Sequence, residues 1–145
     1  MLIGMNRKHL ENEMKKVSLK CSRCTKCCQN TEMEITDEEI LNLERMGFER
    51  NKFIICNAQY QKLKNIDGYC YFFNRDTNEC NIYETRPIGC IFYPIIFNDN
   101  VIPKCEIDTD CDCYHDNKKV QIPVSICEDL KNYISILDKQ AMERK

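Results

Sequence analysis

The chain has 145 residues, 12 of them cysteines, and its formal net charge at pH 7 is −2. This length fits a single domain that covers residues 1–145. Because acidic and basic residues are interspersed and nearly balanced, the charge gives no basis for binding nucleic acid or a membrane surface. A cysteine content this high is typical of a small domain held together by disulfides or by metal.

The cellular compartment decides between disulfides and metal. The first residues have neither the apolar core nor the small-residue cleavage site of a signal peptide, and no apolar run is long enough to span a bilayer. We therefore expect a cytoplasmic protein with no membrane association, in which thiols stay reduced and metal is the better interpretation. An exported, disulfide-bonded domain is the alternative.

Two helices are predicted in the first third of the chain. Residues 2–18 repeat apolar side chains at helical spacing, with charged residues on the other face. Thr36 and Glu39 have the spacing of a capping box, which predicts a second helix that begins there. Gly47 is a natural end for this helix.

The pattern changes in the middle of the chain, from residue 52 to residue 97. Short aromatic runs predict strands, and clusters of Asn, Asp and Gly predict turns. The predicted strands are residues 69–73 and 91–93, and the predicted turns are residues 65–68 and 74–78.

The last part of the chain is predicted to contain a hairpin and a helix. Residues 95–97 and 101–102 are expected to pair across a turn at residues 98–100. Ser125 and Glu128 match a second capping box, which starts a helix over residues 125–143. The elements together predict a small α+β domain organised around its cysteines, with short strands flanked by N- and C-terminal helices.

Four cysteines lie within eight residues, namely Cys21, Cys24, Cys27 and Cys28. A step of three places successive thiolates on one side of a tight loop, so that a short segment can wrap a single centre. Bacterial ferredoxins hold a four-iron cluster with three thiolates at this step and a remote fourth. Structural zinc sites usually take two separate two-cysteine pairs instead. The spacing therefore favours an iron–sulfur cluster over zinc.

Three further cysteines follow at a ten-residue step, namely Cys70, Cys80 and Cys90. At least one of them is expected to complete the centre begun by the loop. Cys28 directly follows Cys27, so its side chain points elsewhere; it is either a ligand of the same or a second centre, or a buried apolar thiol. Cys56 stands alone and is expected to pack in the core.

A possible second metal site involves Cys105, Cys111 and Cys113. Cys111, Cys113 and His115 alternate along the chain, so in an extended strand all three would face the same way. The competing interpretation is one or two core thiols, Cys127 among them, and a solvated histidine.

Other catalytic motifs are missing or incomplete. Cys24 and Cys27 have the spacing of a redox pair, but the flanking cysteines and the lack of a βαβ context argue against a simple thioredoxin-like protein. With four glycines, the chain has little scope for a glycine-rich phosphate loop.

Three segments place these cysteines at fixed offsets from aromatic, arginine and proline residues. They are Cys21-x2-Cys24-x2-Cys27-Cys28, Gly68-Tyr69-Cys70-Tyr71-Phe72, and Cys80-Asn81-Ile82-Tyr83-Glu84-x-Arg86-Pro87-x2-Cys90-x-Phe92-x-Pro94. This pattern resembles the CxxCxxCC cysteine-cluster family, described as a "putative zinc- or iron-chelating domain". The resemblance covers about residues 18–115 and implies a metal-binding core there. It also implies seven ligands, which are Cys21, Cys24, Cys27, Cys28, Cys70, Cys80 and Cys90.

The resulting hypothesis is a cytoplasmic protein that holds an iron–sulfur cluster of the four-iron type, 4Fe–4S, through cysteine thiolates. Its role would be redox chemistry, cluster handling or support of a partner enzyme, so a protein partner is expected. Arg86 is expected to hydrogen-bond the backbone or to offset thiolate charge, and the competing interpretation is an ordinary salt bridge. The alternatives are a zinc-binding structural or interaction module and a thiol–disulfide oxidoreductase.

Overall fold

A computed structural model describes residues 6–20 and 26–144. Helices lie at both ends and short antiparallel strand pairs in the middle, so the predicted α+β class is confirmed. The helices are α1 (Arg7–Lys16), α2 (Asp37–Arg45), α3 (Arg50–Phe53), α4 (Ile88–Phe92), α5 (Tyr114–Asn117) and α6 (Val124–Glu143). The strands are β1 (Ile54–Asn57), β2 (Tyr60–Leu63), β3 (Asn65–Ile66), β4 (Tyr69–Cys70), β5 (Phe73–Asn74), β6 (Glu79–Cys80), β7 (Ile95–Phe97) and β8 (Cys105–Ile107). They pair in chain order, β1 with β2 through β7 with β8. In the described part of the chain, no helix is long and apolar enough to cross a membrane.

The apolar side chains form two clusters. The first packs α1, α4 and α6 against the β7–β8 hairpin, and Leu10, Phe92 and Ile126 are among its most deeply buried members. The second packs α2 and α3 against the three small hairpins of the middle segment. In this cluster the Phe72 ring lies 5.4 Å from the Phe53 ring, centroid to centroid. The molecule therefore has a helical half and a hairpin half, each with its own core.

The second helix begins and ends as predicted. The Thr36 side chain accepts a hydrogen bond from the Glu39 amide, and the Glu39 carboxylate accepts one from the Thr36 amide, which completes the capping box of α2. At the other end, Gly47 has a φ of 102°, and the amides of Gly47 and Phe48 bond the carbonyls of Glu44 and Leu43. This is a Schellman motif, which favours glycine because other residues rarely adopt that φ.

The Glu39 carboxylate also connects the two halves of the molecule. Its Oε1 accepts a hydrogen bond of 2.6 Å from the Tyr133 hydroxyl on α6. Its Oε2 accepts one of 2.7 Å from the Ile88 amide, the first residue of α4. An amide in the first turn of a helix has no partner within the helix, so this contact satisfies a group that otherwise needs water. Tyr133 is 3% exposed, and burial beside the Glu39 charge raises the pKa of its hydroxyl well above the ordinary value.

The first and last helices start elsewhere than predicted. The first helix is predicted over residues 2–18, and the structure has a shorter helix, α1, capped by the Asn6 side chain. Residues 1–5 lie outside the described residues. The second capping box is wrong. The N-cap of α6 is Pro123, and Ser125 already lies inside the first turn. The carbonyl of Pro123 accepts the first hydrogen bonds of the helix, so Ser125 is not the residue that caps it.

The predicted strand at residues 91–93 is also wrong, because these residues lie at the end of α4. Pro87, with its φ of −53°, starts that helix, and Pro94 prevents its continuation. The predicted hairpin forms with a later partner: β7 pairs with β8 at residues 105–107 instead of residues 101–102. Pro103 has no amide to donate to a ladder, whereas Cys105 and Ile107 alternate into the core.

The two predicted turns of the middle segment have different outcomes. The turn at residues 74–78 is confirmed, with the Asn74 side chain accepting bonds from the amides of Asp76 and Thr77. The first turn is confined to Asp67 and Gly68, both with positive φ, because Asn65–Ile66 form β3. The predicted strand at residues 69–73 is split into β4 and the start of β5.

Replacing Glu39 with Gln keeps the side-chain size but turns one acceptor oxygen into a donor. Either the Ile88 amide or the Tyr133 hydroxyl then loses its acceptor. We expect the free energy of unfolding to fall by about 2 kcal/mol, as for the loss of a partly buried, charge-assisted hydrogen bond. Urea unfolding measures the change. Glu38→Gln is the matched control, since Glu38 is the exposed neighbour on the same helix. Equal effects of the two substitutions would contradict the linking role of Glu39.

Candidate metal centre

Five of the predicted ligands lie on four separate elements. Cys27 and Cys28 belong to a 3-10 turn, Lys26–Cys28. Cys70 lies on β4, Cys80 on β6 and Cys90 in α4. The hairpin half therefore contributes Cys70 and Cys80, and the helical half contributes Cys90. The remaining predicted ligands, Cys21 and Cys24, lie outside the described residues.

The chain that leaves the cysteine turn is fixed to the β3–β4 hairpin. Gln29 forms an antiparallel bridge with Tyr69, the residue before Cys70. The Asn65 side chain then pairs with the backbone of Thr31 in both directions, accepting from its amide at 2.9 Å and donating to its carbonyl at 3.0 Å. These contacts place the turn that carries Cys27 and Cys28 beside the strand that carries Cys70.

The chain that enters the cysteine loop is fixed by a second asparagine. Asn117 in α5 is fully buried. Its side chain accepts a hydrogen bond of 2.8 Å from the Lys20 amide and donates one of 2.7 Å to the Lys20 carbonyl. On each side of the loop, an asparagine side chain therefore both accepts from and donates to the backbone of one residue. Such a buried side-chain amide is stable because its oxygen and its nitrogen both have partners.

Cys27 and Cys28 interact directly, with their sulfurs 4.0 Å apart. The hydrogen bond from Cys28 lowers the pKa of the Cys27 thiol to about 7, although burial opposes this shift; the Cys27 amide and the Arg86 charge lower it further. The same bond, together with burial, raises the pKa of Cys28. Cys27 therefore ionises more readily than Cys28 before metal binds.

The other three thiols favour their protonated forms. Burial raises the pKa of Cys70 to about 11, partly offset by the Phe72 amide. Burial also raises the pKa of Cys80, and it raises that of Cys90 well above the ordinary value. Each of these pKa values is also raised by the charges of neighbouring cysteines, Cys27 in every case. Metal must therefore displace protons from these thiols when it binds, and its positive charge removes the repulsion between thiolates.

Arg86 lies beside this group of thiols, and Arg7 contacts the backbone of Arg86. The Arg86 charge lowers the pKa of Cys27 and Cys80, while its Nη1 donates a 2.8 Å bond to the Tyr83 carbonyl and its guanidinium stacks on the Tyr83 ring. Both expected roles of Arg86 toward backbone and thiolate are thus present in one side chain. Arg7 donates through Nη2 to the Arg86 carbonyl, and its buried Nη1 has no hydrogen-bond partner among the described residues.

Within residues 6–20 and 26–144, no three His, Cys, Asp or Glu side chains are close enough together to hold a single metal ion. Because that range leaves out Cys21 and Cys24, it does not test the predicted centre. The described thiols share one neighbourhood, and the assignment of all seven cysteines as ligands remains a prediction.

The possible second site has a different arrangement from the one expected. Cys105 forms a disulfide with Cys127, which joins β8 to α6. Cys111 and Cys113 are buried, but a turn leading into α5 replaces the extended strand, and His115 is exposed. Cys105 could act as a ligand only with its disulfide reduced, so a site at Cys105, Cys111 and Cys113 remains a prediction.

The prediction that Cys56 packs in the core is wrong. It lies on β1 opposite Gln61 and is exposed. β1 is the outer strand of its hairpin, so its side chains beyond Ile54 face solvent. This leaves an exposed cysteine away from the predicted ligands.

One comparison with known proteins identifies a relationship. The family model CxxCxxCC, described as "Putative zinc- or iron-chelating domain", matches residues 20–128. No curated protein and no solved structure matches the chain significantly. The match includes all seven predicted ligand cysteines and the two anchoring asparagines, and it covers most of the chain. The chain therefore belongs to the CxxCxxCC family, and this membership supports zinc or iron binding as its function.

Proposed function

We propose that the protein holds a 4Fe–4S cluster through Cys21, Cys24, Cys27 and at least one of Cys70, Cys80 and Cys90. The observation that carries this proposal is the grouping of four described thiols from separate elements, in which the charge of Cys27 raises the pKa values of Cys70, Cys80 and Cys90. Such a group binds soft metal strongly once deprotonated. When bound, the cluster supplies one-electron redox chemistry or a store of iron and sulfide.

The local charge fits an anionic group. A cluster with four thiolate ligands carries negative charge, and hydrogen bonds and nearby cations stabilise it. The positive charge of Arg86 lowers the pKa values of Cys27 and Cys80 and so favours their thiolate forms. In addition, the buried Nη1 of Arg7 is a donor with no acceptor among the described residues. An unpaired buried guanidinium N–H is costly, and an anionic group within reach would remove that cost.

A partner protein fits the surface beside the centre. Tyr83 is 54% exposed, and Arg86 stacks on its ring at 4.2 Å. Tyrosine and arginine are enriched at protein interfaces. We therefore propose that a redox enzyme or a recipient of the cluster docks there, in the cytoplasm. The reducing conditions of that compartment keep the ligand thiols free and would open the Cys105–Cys127 disulfide.

Zinc is the second candidate, favoured by the family description, which names it beside iron. A zinc site would stabilise the fold and an interaction surface without redox chemistry. The lowered pKa of Cys27 also suits a thiol–disulfide oxidoreductase, which would need no metal.

Metal and sulfide analysis after anaerobic purification separates these candidates. The proposal predicts about four iron and about four sulfide per chain, with a brown colour that bleaches in air. A colourless protein with about one zinc would support the structural module. A chain active in thiol exchange without iron or zinc would overturn metal binding altogether.

Serine substitutions locate the ligands. Cys24→Ser and Cys27→Ser should each remove most of the metal, because a serine hydroxyl is a poor replacement for a soft thiolate ligand. Cys56→Ser is the matched control, an exposed cysteine outside the group, and should retain full occupancy. Metal per chain is measured after identical anaerobic purification. Full retention in Cys24→Ser would refute the loop assignment.

Arg86→Gln tests the electrostatic fit. Loss of a positive charge near an anionic cluster should lower its reduction potential and speed iron loss to a chelator several-fold, roughly as for changes around other metal ligands. Arg45→Gln is the control, because Arg45 is an exposed arginine on α2 whose side chain bonds Asn42. If both variants behave alike, the effect does not come from the charge beside the thiols.

A further inference from the structure

A cleft of about 650 Å³ opens beside the cysteine turn. It lies between the segment after Cys27, the end of α4 with β7, the segment after β8, and one face of α6. This volume is within the range of sites for small organic molecules. Cys27 is the sole predicted metal ligand among the described residues that line it, so the cleft borders the candidate centre without being part of it.

The long walls of the cleft are apolar. On α6, Leu130, Ile134 and Leu137 follow helical spacing and face it in a row. Phe92 and Phe97 line it from the opposite segment. An occupant with an apolar chain would bury that chain here and gain the usual free energy of removing apolar surface from water.

The charged groups of the cleft all have the same sign. In the described part of the chain its charged lining residues are Glu32, Glu34, Asp108 and Asp110. Glu32 is paired with Lys62 at 2.8 Å. Neither aspartate forms a salt bridge with a described residue. The cleft therefore has uncompensated negative charge next to an apolar surface.

The Asp108 carboxylate is held in position at this cleft. It accepts hydrogen bonds from the Asp110 amide, at 3.0 Å, and from the Tyr93 hydroxyl. Burial and this bond raise the pKa of Tyr93, so that the hydroxyl remains a donor and Asp108 an acceptor. On the other side, burial raises the pKa of Glu34 more than the Lys62 charge lowers it, so its ionised form lacks a sufficient counter-charge.

We infer that the cleft binds a small organic cation, an ammonium group on an apolar chain. The ammonium group is attracted by both Asp108 and Glu34, and the apolar chain lies against the half-buried Phe97 and Ile134. This binding is independent of the proposed cluster, because the contacts come from carboxylates and apolar side chains.

Calorimetry with hexylammonium, hexanol and hexanoate on the purified, metal-loaded chain tests the inference. We expect hexylammonium to bind about tenfold more tightly than hexanol, through a charge-assisted hydrogen bond in a partly desolvated site, and hexanoate to bind undetectably. The preference for hexylammonium should shrink as salt is raised.

Two variants and a control locate the charge. Asp108→Asn and Glu34→Gln should each weaken hexylammonium binding about fivefold or more while leaving hexanol binding unchanged. Asp99→Asn, which removes an exposed carboxylate outside the cleft, should change neither. Thermal unfolding checks each fold, and if Asp108→Asn fails to fold, Glu34→Gln carries the test. Equal binding of hexylammonium and hexanol, no binding of either, or full binding by both variants would overturn the inference.

Discussion

The Glu39 carboxylate is the contact on which the relation between the two halves depends. One oxygen completes the cap of its own helix and accepts from Tyr133, and the other accepts from Ile88. Ile88 opens the helix that carries Cys90, while Cys70 lies in the core on which the Glu39 helix packs. Glu39 therefore helps to set the position of Cys90 relative to the hairpin cysteines, together with the hydrogen bonds from the Asp37 amide to Gln140 and from the Tyr60 hydroxyl to Asp138. A metal centre that takes thiols from two small cores needs contacts between the cores. Neither core alone fixes the distance between the thiols of one core and the thiols of the other.

Features of the fold that depend on neighbouring residues could be predicted from the sequence, and features that depend on packing could not. Thr36, Gly47 and Asn74 act on amides and carbonyls within a few residues, so their patterns are local. The apolar and aromatic residues 91–93 are compatible with either a strand or a buried helix. They are helical at residues 91 and 92 because a helix begins directly after Pro87. Ser125 matched the pattern of a cap, but the helix begins two residues earlier, with Pro123 as its N-cap.

The candidate site divides in the same way. Spacing alone singled out the loop cysteines and the remote set, and the described members do share one neighbourhood. It could not find Asn117 and Lys20, which are 97 residues apart, or the pairing of Asn65 with Thr31, because an asparagine that clamps distant backbone has no sequence signature. The exposure of Cys56 was equally hidden, since the residues of β1 after Ile54 are exposed on both faces of the hairpin, and only tertiary packing decides this. The acidic cleft combines segments that meet only through tertiary packing.

The clamp of Asn117 on Lys20 limits how the cysteine loop can change in length. With Lys20 held to α5 and Gln29 bridged to Tyr69, the two ends of the loop are tied to different parts of the molecule. An inserted or deleted residue could not be absorbed by sliding either end, since that would leave a fully buried amide without its partners. Any change in length would have to be taken up among the cysteines themselves, where it would alter their spacing. The loop is therefore a poor place for the insertions that surface loops usually tolerate, and cysteine identity and loop length would have to change together.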